Sequence, residues 1–233
     1  MPGPRDPARR AAVSAAGAPD PEGAAAAVIR FLDALGLPPE VRAGADLEGT
    51  PQRVAEAWLE DLVDGYARTP ADVLAGAIPS PSRDLVAVTS IDFHSVCPHH
   101  LLPSRGVAHV AYLPGGRVVG FGQIVKLVHC LAHRLVLEED LALQITEALV
   151  EHVGARGAAC LLDAEQLCLT VRGERQARSR AHAEAYAGAL ARDGAARRRF
   201  LALAAGAEAG GGAGRARATG APRRRPAARG GGR

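Results

Sequence analysis

Aromatic side chains are scarce in this sequence, which has one tryptophan, three tyrosines and four phenylalanines among 233 residues. A hydrophobic core must therefore be built from valine, leucine, isoleucine and alanine. No apolar run approaches the roughly 18 residues that a membrane-spanning helix requires. The N-terminal segment also lacks the apolar core of a secretion signal. We therefore expect a cytoplasmic protein without a membrane partner.

Cysteine is scarce too, with only Cys97, Cys130, Cys160 and Cys168 in the chain. Without a secretion signal, thiols kept for metal binding or for packing are favoured over disulfides. The formal net charge is only +3, and it depends on an arginine-rich C-terminal tail. A charge of that size excludes no class of partner, but it gives no reason to expect nucleic-acid binding.

The hydrophobic pattern divides the chain into four segments. Residues 1–22 and 206–233 are rich in proline, glycine and alanine and lack periodic apolar residues, which predicts disorder. Segment 23–82 is predicted to be helical, and Thr50 is predicted to cap one of its helices. Segment 83–192 mixes strand and helix patterns and is predicted to be the catalytic domain. The fold class predicted from this order is α+β.

Within segment 83–192 the periodicity predicts individual elements. Helices are predicted at 123–131, from 138 onward and at 181–190. Strands are predicted from 85, at 107–113, at 117–119 as the return of a hairpin through Gly115 and Gly116, and at 158–162 and 167–171 as a second hairpin.

One short stretch concentrates metal-binding side chains, since Cys97, His99 and His100 lie within four residues. Cys168 follows much later, in the strand-like run 167–171. Thiolate sulfur and imidazole nitrogen are ligands that zinc prefers, and three protein ligands leave a fourth position for water. The sharp hypothesis is a zinc site made by Cys97, His100 and Cys168. The alternative is that Cys168 is a small buried hydrophobe and that the histidines lie in a solvated loop.

Four motifs resemble the GTP cyclohydrolase I family in order and spacing, and the resemblance runs over about 23–190. They are TPQRVA at 50–55, CPHHLLP at 97–103, HVAYLP at 109–114 and QLCLTVRG at 166–173. The resemblance implies the tunnelling fold, an antiparallel sheet with two helices packed on one face and further helices at the N-terminus. It also implies a ring-shaped homo-oligomer, a decamer of two pentamers. The implied reaction opens the imidazole ring of GTP and releases formate to give 7,8-dihydroneopterin triphosphate, for pterin and tetrahydrofolate biosynthesis.

The resemblance also assigns roles to individual residues. It implies Zn2+ as the cofactor, held by Cys97, His100 and Cys168, with His99 as an acid–base group beside it. Glu139 is implied to bind guanine, and a carboxylate suits the two donors on the Watson–Crick edge of that base. The residues implied to bind phosphate are Arg53, Lys126 and Arg172.

Several positions depart from the family pattern. Gln166 replaces a histidine, and glutamine cannot carry a proton near neutral pH. Pro98 replaces a glutamate, and Glu138 and Asp140 replace a glutamine and an arginine on either side of Glu139. The remaining departures are Glu56 for a basic residue, Gly122 for a serine and Gln123 for a lysine.

These departures make the predicted pocket less favourable for a triphosphate. Each lost charge-assisted phosphate contact costs about 1.5–3 kcal/mol. Three functions therefore stay open. The chain is a GTP cyclohydrolase I, a diverged zinc hydrolase that acts on another purine nucleotide or stops at the ring-opened formamide, or a non-catalytic partner subunit.

The other candidate residues are predicted to be structural or exposed. Cys130 and Cys160 are predicted to be core thiols. Arg134 is left open between the site and an interface. The histidines in this group are His94, His109, His129, His133, His152 and His182.

Overall fold

The structure is a computed structural model that describes residues 17–211. The disorder predicted for 1–16 and 212–233 falls outside the described residues. The longer helices are α1 (Pro21–Ala34), α3 (Thr50–Glu56), α5 (Phe121–Ala132), α6 (Glu138–Ala148) and α9 (Gly194–Gly211). The shorter helices are α2 (Pro39–Arg42), α4 (Pro70–Leu74), α7 (Leu167–Thr170) and α8 (Ala189–Arg192). The strands are β1 (Ile78–Pro79), β2 (Val86–Val96), β3 (Pro103–Leu113), β4 (Arg117–Val118), β5 (Gly157–Gln166) and β6 (Ala181–Gly188).

The N-terminal helices begin at local capping signals. Asp20 caps α1 by accepting a 2.8 Å hydrogen bond from the Gly23 amide, so the helix begins earlier than predicted. Helix α3 is preceded by Gly49 in the left-handed conformation, and the predicted Thr50 cap is wrong. The Thr50 hydroxyl instead accepts a hydrogen bond from Arg53 at 2.8 Å.

The main sheet has four antiparallel strands in the order β2-β3-β5-β6. Strands β3 and β5 pair over ten residues, from Ser104 opposite Gln166 to Leu113 opposite Gly157. Strands β2 and β3 pair with one irregularity between Val88 and Ile91. The predicted α+β class with an antiparallel sheet is confirmed.

Each face of the sheet is covered by helices. Helices α5 and α6 pack on one face, as predicted, and together with the alternate residues of the strands they form the main apolar core. Helix α9 covers the opposite face, where Phe200 and Leu190 pack on Ala111 and Ala159. Helix α9 is not predicted from the sequence, and it continues to Gly211, into the segment for which the sequence predicts disorder.

Two predicted strands are wrong, in pairing or in conformation. Residues 117–119 do not return beside β3, because β4 pairs with β1 through Val118 opposite Ile78. Residues 167–171 form the helical turn α7 rather than a strand. Strand β3 begins at Pro103, so β5 has no partner backbone beyond Gln166 and its ladder ends there.

The predicted helix 181–190 is instead strand β6. Ala183 and Ala185 are buried, whereas His182 and Glu184, which alternate with them, are exposed, and this is the period of a strand. Pairing with β5 outweighs the helix propensity of the alanines.

Arg134 joins the N-terminal segment to the sheet. Its buried guanidinium donates hydrogen bonds of 2.8 Å to the carbonyls of Gly65 and Arg68 and lies over the ring of Tyr66. These contacts anchor the N-terminal helical region, and the choice between the site and an interface stays a prediction. Within residues 17–211, no helix is both long enough and apolar enough to cross a membrane.

Candidate metal centre and active site

The loop after β2 folds back on itself and sets the positions of its ligands. The Leu101 amide donates to the Cys97 carbonyl at 2.9 Å, and the Cys97 amide donates to the Leu102 carbonyl at 3.0 Å. Leu101 adopts a φ of 53°, in the left-handed region that closes such a turn. The turn places the Cys97 sulfur 3.8 Å from the Nδ1 atom of His100.

The helical turn α7 brings the third predicted ligand to this loop. The ligand atoms of Cys97, His100 and Cys168 all lie within 4.8 Å of one another. Cys97 is buried, Cys168 is half-buried and His100 is exposed, so the group lies between the sheet edge and solvent. The residues predicted to bind zinc therefore converge, although the strand predicted for Cys168 is wrong.

The donor set suits zinc. Two sulfurs bonded to a tetrahedral zinc, each about 2.3 Å from it, lie about 3.8 Å apart, so the ligand group needs only small side-chain adjustments. Burial raises the pKa of the Cys168 thiol, the neighbouring Cys97 raises it further, and Arg172 opposes the rise. A cation held between the two sulfurs would favour the thiolates that coordination requires.

Two predicted acid–base positions lie next to this group. The His99 ring is exposed and lies edge-on to the His100 ring, with 6.2 Å between centroids. Gln166 ends β5, and its Oε1 atom lies 3.8 Å from the Cys168 sulfur, which donates to it. The residue that replaces the family histidine is thus in contact with a predicted metal ligand.

The residues predicted to bind substrate are exposed on different elements. Glu139 lies in the first turn of α6, Lys126 on α5 and Arg53 on α3. Arg172 follows α7, and its charge acts on Cys168. The roles of these four residues stay predictions.

Gln123 shows what one departure from the family pattern does to the fold. Its side-chain oxygen accepts a 3.0 Å hydrogen bond from the Gly120 amide at the start of α5. Its side-chain nitrogen donates to the Val73 carbonyl at 3.2 Å. The position at which the resemblance implies a lysine is therefore occupied by a capping side chain that ties α4 to α5.

Sequence reasoning misses a buried polar group beneath the ligands. The hydroxyl oxygens of Ser95 and Ser104 are 2.6 Å apart, and both residues are buried. Glu138 is only 5% exposed, and neither carboxylate oxygen has a hydrogen-bond partner within the described chain. The sequence offers one signal that could have pointed to Ser95 and Gln166, namely their spacing from the ligands. Ser95 lies two residues before Cys97, and Gln166 lies two residues before Cys168.

Comparison with known proteins places the chain in a family. Residues 24–205 match the family model described as GTP cyclohydrolase I. A protein named GTP cyclohydrolase 1 from Chromobacterium violaceum is 49% identical over 152 residues, which are 65% of this chain and 74% of that protein. Proteins of the same name from Ralstonia nicotianae and Campylobacter lari are 45% and 40% identical, over 75% and 76% of this chain and 82% and 91% of theirs.

The fold and the site define the class: an α+β protein with an antiparallel sheet backed by two helices and a candidate Cys-His-Cys metal site beyond the C-terminal ends of β2 and β5. Within that class the chain belongs to the GTP cyclohydrolase I family. The resemblance seen in the four sequence motifs is confirmed.

Proposed function

We propose that the protein is a cytoplasmic GTP cyclohydrolase I. It opens the imidazole ring of GTP by hydrolysis, releases C8 as formate and forms 7,8-dihydroneopterin triphosphate, for tetrahydrofolate and pterin biosynthesis. The observation that carries the proposal is the convergence of Cys97, His100 and Cys168 within 4.8 Å. The family membership of residues 24–205 supports it independently.

Cys97, His100 and Cys168 would hold the zinc ion, which when bound supplies a Lewis acid that lowers the pKa of water toward ~7. His99 is exposed beside His100, where a purine can reach it. An imidazole is suited to protonate a ring nitrogen and so make C8 more electrophilic. His99 therefore acts as the proton donor in this proposal.

The remaining residues orient the substrate. The exposed carboxylate of Glu139 accepts the two N–H donors of guanine. Arg53, Lys126 and Arg172 are exposed cations that can bind phosphate oxygens. The family resemblance implies active sites at subunit interfaces. We therefore infer a ring-forming homo-oligomer, to which the four-stranded sheet offers β2 and β6 as its edge strands.

A second function is favoured by Gln123 and Gln166. Gln123 is engaged by Gly120 and Val73, which removes one cation from the region where the resemblance implies phosphate binding. Gln166 cannot carry a proton to the leaving formate. The second candidate is a zinc hydrolase that acts on a purine nucleotide with fewer phosphates, or that stops at the ring-opened formamide.

The test is to incubate zinc-loaded protein with GTP and to measure formate and, after oxidation, pterin fluorescence. Release of both supports the first function. Loss of the guanine absorbance without formate supports the second. Stoichiometric zinc without turnover of GTP, GDP, GMP or guanosine would contradict both and indicate a non-catalytic partner subunit.

A further inference from the structure

Glu138 is a buried carboxyl that the proposed mechanism does not use. It begins helix α6, next to the exposed Glu139. Unlike Glu139, it is buried, with only 5% of its surface exposed to solvent. Neither oxygen meets a hydrogen-bond donor with acceptable geometry in the described chain. An ionised carboxylate in such a place is costly, so the group must be neutral or must gain a donor.

A row of polar side chains crosses the sheet, and it includes Ser104, which lies close enough to Glu138 to act on its carboxyl group. Ser95 is paired with Ser104 across β2 and β3, and Ser104 is paired with Gln166 across β3 and β5. Paired residues of antiparallel strands point to the same face. That face is the one covered by α5 and α6, because Phe93 and Ala164, two residues away on the same strands, lie in its core.

Each end of this row lies close in the chain to a predicted metal ligand. Ser95 precedes Cys97 by two residues, and Gln166 precedes Cys168 by two. At the second end, the Gln166 side chain contacts the Cys168 sulfur at 3.8 Å. At the first end, the Ser95 and Ser104 hydroxyls are 2.6 Å apart, and either of them can be the donor. A change of hydrogen bonding at Ser104 can therefore be passed to the ends of β2 and β5, the two strands that precede Cys97 and Cys168.

We propose that Glu138 is a proton-holding positioning residue of the active site, which acts through Ser104 on the residues that carry the metal ligands. In its protonated form Glu138 donates to the Ser104 oxygen, and Ser104 donates to Ser95. When Glu138 loses its proton to solvent, Ser104 donates to the carboxylate and Ser95 donates to Ser104, so the order of the hydrogen bonds reverses. The inference rests on the proposed function only for its effect on turnover.

The charges around Glu138 favour the protonated form near neutral pH. Burial raises the pKa of Glu138 to about 7, and the carboxylates of Glu139 and Asp163 add to the rise, while Ser104 and Arg180 oppose it. Of two adjacent glutamates, the buried one thus keeps the proton, and Glu139 is left to accept the donors of a purine. The chain thus places a group that titrates in the working range next to Ser104, which is paired across the sheet with Gln166, a residue that cannot titrate.

The decisive measurement is the pH dependence of kcat and KM for GTP turnover by the zinc-loaded protein and by Glu138→Gln. The variant keeps the shape of the side chain and has the glutamine that the family carries at this position. We expect the wild type to lose activity as pH rises through about 7, and the variant to lack that ionisation. At about pH 8, one unit above that pKa, its kcat should exceed the wild-type value by up to about 10-fold, with a smaller change in KM. Glu138→Asp should restore a titration.

Two further readouts do not depend on turnover. In the wild type, the infrared band of a protonated carboxyl should be present at about pH 6 and weakened at about pH 8, and it should be missing in Glu138→Gln. The variant should also unfold at a higher temperature than the wild type at about pH 8, because it buries no charge. Superimposable pH profiles of kcat overturn the role in turnover, and a missing carboxyl band overturns the proton itself. A wild type that shows the band but converts no GTP contradicts the proposed function and leaves the protonation of Glu138 established.

Discussion

The imidazole rings of His94 and His133 stack with 3.9 Å between their centroids. His129 lies on the other side of His133, with 5.2 Å between centroids. The stack joins the N-terminal segment to the sheet and to α5, because His94 bonds to the Asp61 carbonyl at 2.8 Å and His133 bonds to the Asp64 carboxylate at 2.7 Å. The structural role predicted for these histidines is thus a contact between the two main parts of the described chain.

The stack should make the protein less stable in acid. Burial lowers the pKa of His133, and the nearby His94 and His129 add to the decrease, while Asp64 opposes it. The unfolded chain therefore binds a proton more readily than the folded chain. Stability is fully present above the unfolded pKa of about 6.5 and is lost as pH falls through the lower folded value.

The measurement is the midpoint of thermal unfolding between about pH 8 and pH 5. His133→Gln should show a smaller decrease toward acid than the wild type does. His182→Gln serves as the control, since His182 is exposed on β6, away from the stack. Equal decreases in the wild type and in His133→Gln would contradict a role for this imidazole.

Replacement of one sulfur should abolish the metal site. Cys168→Ser exchanges a thiolate for a hydroxyl, which does not ionise near neutral pH and is a poor zinc ligand. We expect zinc bound per chain to fall from about one to near zero, as measured by metal analysis after dialysis. Cys130→Ser should keep its zinc, because Cys130 bonds to the Arg68 carbonyl at 3.3 Å in the N-terminal region. Stoichiometric zinc in Cys168→Ser would contradict the ligand assignment.

The convergence of the ligands was predictable because it depends on a motif, whereas the element that carries Cys168 was not. Leu167 to Val171 have side chains typical of a strand, but the choice between strand and helical turn is made by Pro103 on another strand. Ala181 to Gly188 illustrate the opposite error, since alanine favours helices locally and pairing with β5 decides the outcome. Tertiary pairing is the information that a local pattern lacks.

The buried polar row was hidden for a similar reason. Ser95, Ser104 and Gln166 are far apart in the chain, and only the register of three strands makes them neighbours. From the sequence alone, Glu138 is interpreted as one of three acidic residues that interact favourably with the helix dipole at the start of α6. Its burial depends on how α6 lies on the sheet, which a single sequence does not reveal.

Restoring the family histidine should show whether a proton carrier limits the reaction. Gln166 contacts Cys168, so Gln166→His would place an imidazole beside the predicted ligands. We expect formate release to increase, by about 10-fold or more if proton transfer limits the rate, as measured by a coupled formate assay. Gln176→His, in the exposed loop after α7, is the matched control. An unchanged rate in Gln166→His would show that the missing imidazole is not limiting.

The C-terminal helix should be required for a stable sheet. Phe200 is fully buried and packs with Leu190 on the face of the sheet opposite α5 and α6. Phe200→Ala leaves a cavity there and should lower the free energy of unfolding by about 3–5 kcal/mol, as measured by urea denaturation. Leu203→Ala on the same helix should have a much smaller effect, because Leu203 is 45% exposed. Similar losses in the two variants would show that α9 does not cover this face in solution, and the sheet would then need another partner on that side.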